Sequence, residues 1–115
     1  MIKKKVATLI LNRNLPDVTN RLYEQIRKYD DPITDIYVIE AGSDDDKISK
    51  YTSWHAKWDA ARAEGLRYNR GMNYGLSKLY KEGKFENYEA FLLLTNDTEF
   101  DNKNNIEILM NILYD

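Results

Sequence analysis

Phe91-Leu92-Leu93-Leu94 is a wholly apolar run that breaks at once into the polar Thr95-Asn96-Asp97-Thr98. A run of this length, bounded by polar residues, fits a strand buried on both faces of a parallel sheet, because such strands lack the alternation of half-solvated ones. The polar break then falls just past the carboxyl end of the strand. That edge is where ligands collect in open α/β sheets, and an acid placed there, Asp97, can hold a cation bound to an anionic substrate.

Two earlier runs share this character. Val6 to Leu11 is β-prone and of strand length, and Asn12-Arg13-Asn14-Leu15-Pro16-Asp17 is a polar break whose proline suits a helix start. Val18, Leu22, Ile26 and Tyr29 then recur at helical spacing, with Asp17 near the start and Lys28 near the end, where each suits the helix dipole. Asp30-Asp31-Pro32 stops the helix, and Ile36-Tyr37-Val38-Ile39 makes a second buried strand ending at Glu40, before the turn Ala41-Gly42-Ser43. Strand, helix and strand form a βαβ unit, which is nearly always right-handed.

Asp44-Asp45-Asp46 is expected at the start of a short helix running through Ile48 toward Tyr51, with its carboxylates in a capping role. Trp54, His55 and Trp58 fit either an extended strand or one face of a helix. Propensity over Ala56 to Glu64 favours a helix ending at Gly65, with Leu66-Arg67-Tyr68 extended beyond it. Asn69 to Leu76 is a glycine-containing entry into another helix, with Leu76, Leu79 and Tyr80 on one face and Lys81-Glu82-Gly83-Lys84 as its end. Asn102 to Asp115 carries Ile106, Leu109, Met110 and Leu113 in helical register.

The chain has 115 residues, a common size for one domain, and no repeat or linker divides it. With 31% charged residues and a net charge of −2 it lacks a generally basic surface, which argues against a nucleic-acid partner. It has no cysteine, so disulfides and thiolate metal sites are excluded. The apolar run after Lys3-Lys4-Lys5 is too brief for a membrane span and lacks a small-residue cleavage site, so a soluble, unexported protein is expected.

Several stretches, in order, resemble family 2 glycosyltransferases with the GT-A nucleotide-sugar-binding fold. Leu9-Ile10-Leu11-Asn12-Arg13-Asn14 is similar to the family's opening strand and its Asn-Arg turn. Val38-Ile39-Glu40-Ala41-Gly42-Ser43-Asp44-Asp45 is similar to the family's Val-Asp-Asn-Gly-Ser-x-Asp segment, with Glu40 for the usual Asp and Ala41 for the usual Asn. Arg70-Gly71-Met72-Asn73-Tyr74-Gly75 resembles its Gly-x-Asn-x-Gly helix entry. Leu94-Thr95-Asn96-Asp97-Thr98 resembles its acidic metal motif, with Thr95 standing in the first ligand position.

The resemblance implies a three-layer α/β/α fold with a mainly parallel sheet, Rossmann-like, as a single donor-binding domain truncated after the metal motif. It implies a nucleotide-diphospho-sugar donor lying across the carboxyl ends of the strands. Asn12, Arg13, Glu40, Arg70 and Asn96 would line it, and Asp97 would bind Mg²⁺ or Mn²⁺ on the diphosphate. Glu40 would accept hydrogen bonds from the base or ribose, and the arginine forks suit phosphate oxygens.

Plainer readings stand beside these. Glu40 is also readable as a solvated strand-end acid, Arg13 and Arg70 as surface arginines, and Asp97 as a turn cap. Gly71 and Gly75 are expected to permit close helix packing rather than to cradle phosphate, since no full phosphate loop is present. His55 has no partner by spacing and is read as structural. Trp54 and Trp58 are read as packing residues unless their segment proves exposed.

In the family the general base lies in a second half, with most acceptor contacts. The expectation is therefore a donor-binding half with no catalytic residue of its own, set in the cytoplasm or at the cytoplasmic membrane face. Its acceptor, whether a saccharide, a lipid-linked group or a protein, is not specified. The competing expectation is a non-catalytic α/β interaction module that pairs with another chain through an exposed sheet edge.

Overall fold

The computed structural model describes residues 6–30 and 33–96. The apolar runs become the strands β1 (Val6–Asn12), β2 (Thr34–Glu40) and, after a third strand β3 (Thr52–His55), β4 (Ala90–Thr95). All pair in parallel, in the order β3-β2-β1-β4, with Leu9 opposite both Tyr37 and Leu93. The expected parallel α/β sheet is thus present and Rossmann-like in layout.

Three helices connect the strands: α1 (Pro16–Asp30), α2 (Asp59–Glu64) and α3 (Tyr68–Lys81). The chain builds β2 and β3 to one side of β1 and then crosses to the other side for β4. Right-handed crossovers in opposite directions put their helices on opposite faces. One face accordingly packs Val6, Ile10, Ile36 and Val38 against Leu22 and Ile26 of α1. The other packs Ala7, Leu9 and Ile39 against Met72 and Leu79 of α3. Each fully buried Leu or Ile contributes about 1.5–3 kcal/mol relative to exposure.

The helical faces differ in detail from the periodicity reading. In α1 the inner stripe is Thr19, Leu22, Ile26 and Asp30, while Val18 is exposed. The Thr19 hydroxyl donates to Asn12 Oδ1 at 2.9 Å, so a polar contact sets the rotation of the first turn. In α3 the buried residues are Gly71, Met72, Gly75 and Leu79, and Tyr80 faces solvent. A Cβ on Gly75 would lie 2.4 Å from Ile39 Cδ1, and one on Gly71 would lie 2.4 Å from Leu11 Cδ1. The two glycines are where α3 meets the sheet, as close helix packing requires.

Other expectations need correction. After Asp44 only a 3-10 turn, Asp45–Lys47, forms, and Ile48 is already extended. Asp44 makes no side-chain cap; its backbone N–H instead donates to Asn14 Oδ1 at 2.8 Å. Trp54 and His55 lie on β3, and the helix ending at Gly65 begins only at Asp59. Tyr68 opens α3 rather than extending from Gly65. The Val38/Ile39 register shift frees the Val38 N–H from the ladder, and Ser53 Oγ accepts it at 3.1 Å. The residues of β4 are half-buried or exposed rather than buried on both faces, since β4 is the outer strand of the described sheet. The helical register from Asn102 to Asp115 lies outside the described residues.

Candidate functional site

In an open parallel sheet the connections leaving the two strands at a direction reversal run to opposite faces and leave a crevice outside their carboxyl ends. Here that point lies between β1 and β4. Asn12 closes β1 there, and Asn96 directly follows β4. The Asn96 amide donates to Asn12 Oδ1 at 3.4 Å and to Thr19 Oγ1 at 3.3 Å. Three of the predicted site residues, Asn12, Glu40 and Asn96, therefore meet at the strand ends.

Asn12 is fully buried and serves as a hub. Its Oδ1 also accepts from the Leu15 N–H at 3.1 Å, satisfying a donor at the start of α1, as a capping residue does. Its Nδ2 donates to Glu40 Oε1 at 2.7 Å and to the Lys47 carbonyl at 3.4 Å. Glu40 is 0% exposed. Besides Asn12 it accepts from Ser43 Oγ at 2.6 Å, from the Ser49 N–H at 2.8 Å and from Thr52 Oγ1 at 2.6 Å. Its carboxylate is turned into the protein rather than solvated.

The turn after β2 is locked to the turn after β1. Asn14, at a positive φ of 60°, donates its N–H to Ser43 Oγ at 3.1 Å, and Ala41 N–H donates to the Asn12 carbonyl at 2.8 Å. Gly42 has φ 85°, and a Cβ there would lie 1.9 Å from the Ala61 carbonyl of α2. The glycine of the Glu-Ala-Gly-Ser stretch is thus fixed both by conformation and by the backbone pressed against it.

Arg13 and Arg70 lie in a second group. The exposed Arg13 donates from Nη1 to the Glu64 carbonyl at 3.1 Å and from Nη2 to the Arg62 carbonyl at 3.3 Å, so it serves the C-terminal carbonyls of α2. Its side chain lies against Gly65. Arg70 is exposed in the first turn of α3 and lines an open cleft of about 710 Å³ with Glu64, Gly65, Arg67, Tyr68 and Asn69. The Tyr68 hydroxyl donates to the Leu93 carbonyl at 3.2 Å, which ties the cleft to β4. The first-turn amides of a helix have no internal acceptor and face an incoming anion, an arrangement that Arg67 and Arg70 reinforce with charge.

Asp97 lies outside the described residues. Among the described residues no three acids or histidines are grouped so as to hold a metal, and both Glu40 oxygens are occupied by donors. Asp45 is held below the usual carboxylate range by its hydrogen bond from the Arg62 guanidinium and by that group's charge.

His55 Nε2 lies 3.1 Å from the Ser43 carbonyl, a structural contact. Trp54 stacks on Tyr37 and donates to Glu82 Oε2 at 2.8 Å. Trp58 is 47% exposed and meets Tyr74 edge-on. No described helix is long and apolar enough to cross a membrane.

Sequence reasoning missed Thr19, Ser49 and Thr52, which complete the network, and Arg67 and Tyr68 of the cleft. Ser43 sat within a quoted motif, but nothing in the spacing of the other network residues marked them. No protein-family model matches the chain, and comparison with curated proteins and with solved structures returns no match.

Proposed function

We propose that this chain is a donor-binding domain of the glycosyltransferase kind and takes a nucleotide-diphospho-sugar at the carboxyl ends of its strands. One observation carries the reading: a cleft rimmed by Arg67 and Arg70, at the first turn of α3, is tied through Tyr68 to β4 beside the β1/β4 reversal. Two guanidinium forks and a helix N-terminus suit a diphosphate, which needs charge neutralisation and several N–H donors at once. Arg13 lies beside the cleft against Gly65, and Asn96 follows β4 at the reversal. The motif resemblance supplies the sugar and the transfer. Mg²⁺ or Mn²⁺ at Asp97 belongs to the same proposal and rests on that resemblance alone.

These residues bind and orient; none of them is proposed as the base that deprotonates the acceptor. Calorimetry with UDP-, GDP- and dTDP-sugars, with and without Mn²⁺, tests the reading. Saturable binding of at least one of them, weakened about tenfold or more by Arg70→Ala, is expected from losing a charge-assisted phosphate contact. Absence of heat and of thermal stabilisation with all three would overturn it.

A further inference from the structure

The acid at the end of β2 is the residue whose type most suggests direct contact with a base or ribose. We infer that Glu40 is instead a positioning residue, whose buried carboxylate holds Asn12 and the segment from Ser43 to Thr52 in place and does not touch the ligand. An ionised carboxylate offers about four acceptor positions on its two oxygens. Asn12 Nδ2 and Ser43 Oγ lie 2.7 and 2.6 Å from Oε1, and the Ser49 N–H and Thr52 Oγ1 lie 2.8 and 2.6 Å from Oε2, the single Thr52 hydroxyl proton being shared with the Ser49 carbonyl at 2.7 Å. A base or ribose donor could be accepted only by displacing one of these.

The donors come from four separate segments: β1, the turn after β2, the stretch before β3, and β3 itself. Through Asn12 the carboxylate also fixes Asn96 and the start of α1. The length of the side chain follows from the same geometry. An aspartate, one methylene shorter, does not span from Asn12 to Ser49 without moving the backbone, which accounts for Glu in place of the Asp usual in the similar motif.

The inference concerns the site of the proposed function, but its main test needs no ligand. Amide exchange in the ligand-free full chain is read at the Ser49 backbone N–H and the Asn12 side-chain amide, relative to Ile10 in the sheet core. Glu40→Gln puts an NH₂ in place of one carboxylate oxygen, facing either the Asn12 amide or the Ser49 N–H, both of which donate, so exchange at one or both of these sites should accelerate about tenfold or more relative to Ile10. Glu40→Asp should accelerate it too, despite keeping the charge. If Glu40→Gln fails to fold, Thr52→Val removes one donor to Glu40 together with the contact of the same hydroxyl with the Ser49 carbonyl. The site read is then the Asn12 side-chain amide, which Thr52 reaches only through Glu40; its exchange should accelerate, while Thr52→Ser should restore protection. Unchanged local protection in the Glu40 variants that fold and in Thr52→Val would overturn the inference. So would a collapse of nucleoside diphosphate affinity in Glu40→Gln with Asn12 and Ser49 protection intact. If the wild-type chain binds no nucleotide, the proposed function fails while the exchange measurements still decide the role of Glu40.

Discussion

Asn12 shows how one side chain can join three strand ends. Its acceptor serves Leu15, Thr19 and Asn96, and its donors serve Glu40 and Lys47. Asn12→Ala takes a donor from the buried Glu40 carboxylate, a loss of roughly 1–3 kcal/mol, and removes the cap on the amide of the exposed Leu15, a loss of roughly 0.5–2 kcal/mol. A loss of about 2–3 kcal/mol is expected, allowing for partial relaxation, and chemical denaturation would measure it. At the surface, Glu24 is held below the usual glutamate range, first by the hydrogen bond from the Tyr51 hydroxyl and then by Lys50. A carboxyl lowered on folding contributes stability above its ordinary titration range and loses it as pH falls through the lowered value. A carboxyl-carbon NMR titration should find Glu24 ionising below ordinary glutamates, and Tyr51→Phe should move it back up.

At the level of elements, α2 meets the turn after β2 and α3 meets the sheet at glycines, and the neighbouring atoms rank the cost of filling them. At Gly42 a Cβ would strike the Ala61 carbonyl at 1.9 Å, backbone against backbone, at a φ of 85°. At Gly75 it would strike the ends of Ile39 and Leu9 at 2.4 and 2.9 Å, both locked in the core. At Gly71 it meets Leu11, which is only half-buried and can move. Denaturant midpoints should therefore fall most for Gly42→Ala and least for Gly71→Ala. Gly75→Ala should lie between them, near the roughly 1–3 kcal/mol usual for overpacking, despite alanine's better helix propensity.

The same contrast explains what could be read in advance. Val6–Leu11, Ile36–Ile39 and Phe91–Leu94 announced strands because continuous apolar runs have few other uses. Thr52–His55 did not, because Trp54 and His55 satisfy either period and the edge strand is short. Asn12, Glu40 and Asn96 were legible as strand-end residues, but not their commitment to one another. That depends on Thr19, Ser49 and Thr52, whose approach is set by tertiary packing and leaves no local pattern.

For the molecule as a whole, the order β3-β2-β1-β4 with helices on both faces gathers the polar strand ends along one edge. A buried network braces that edge on one side, and a cationic cleft opens on the other. Under the proposed function, Asn12 and Glu40 hold the edge while Arg67, Arg70 and their neighbours take the ligand. Backbone amide NMR during titration with a nucleoside diphosphate tests this most directly. The account predicts saturable shifts concentrated at residues 13–14, 65–71 and 95–96, with Arg70→Ala removing most of the response. Saturable shifts centred elsewhere, or no shifts at millimolar nucleotide, would contradict it.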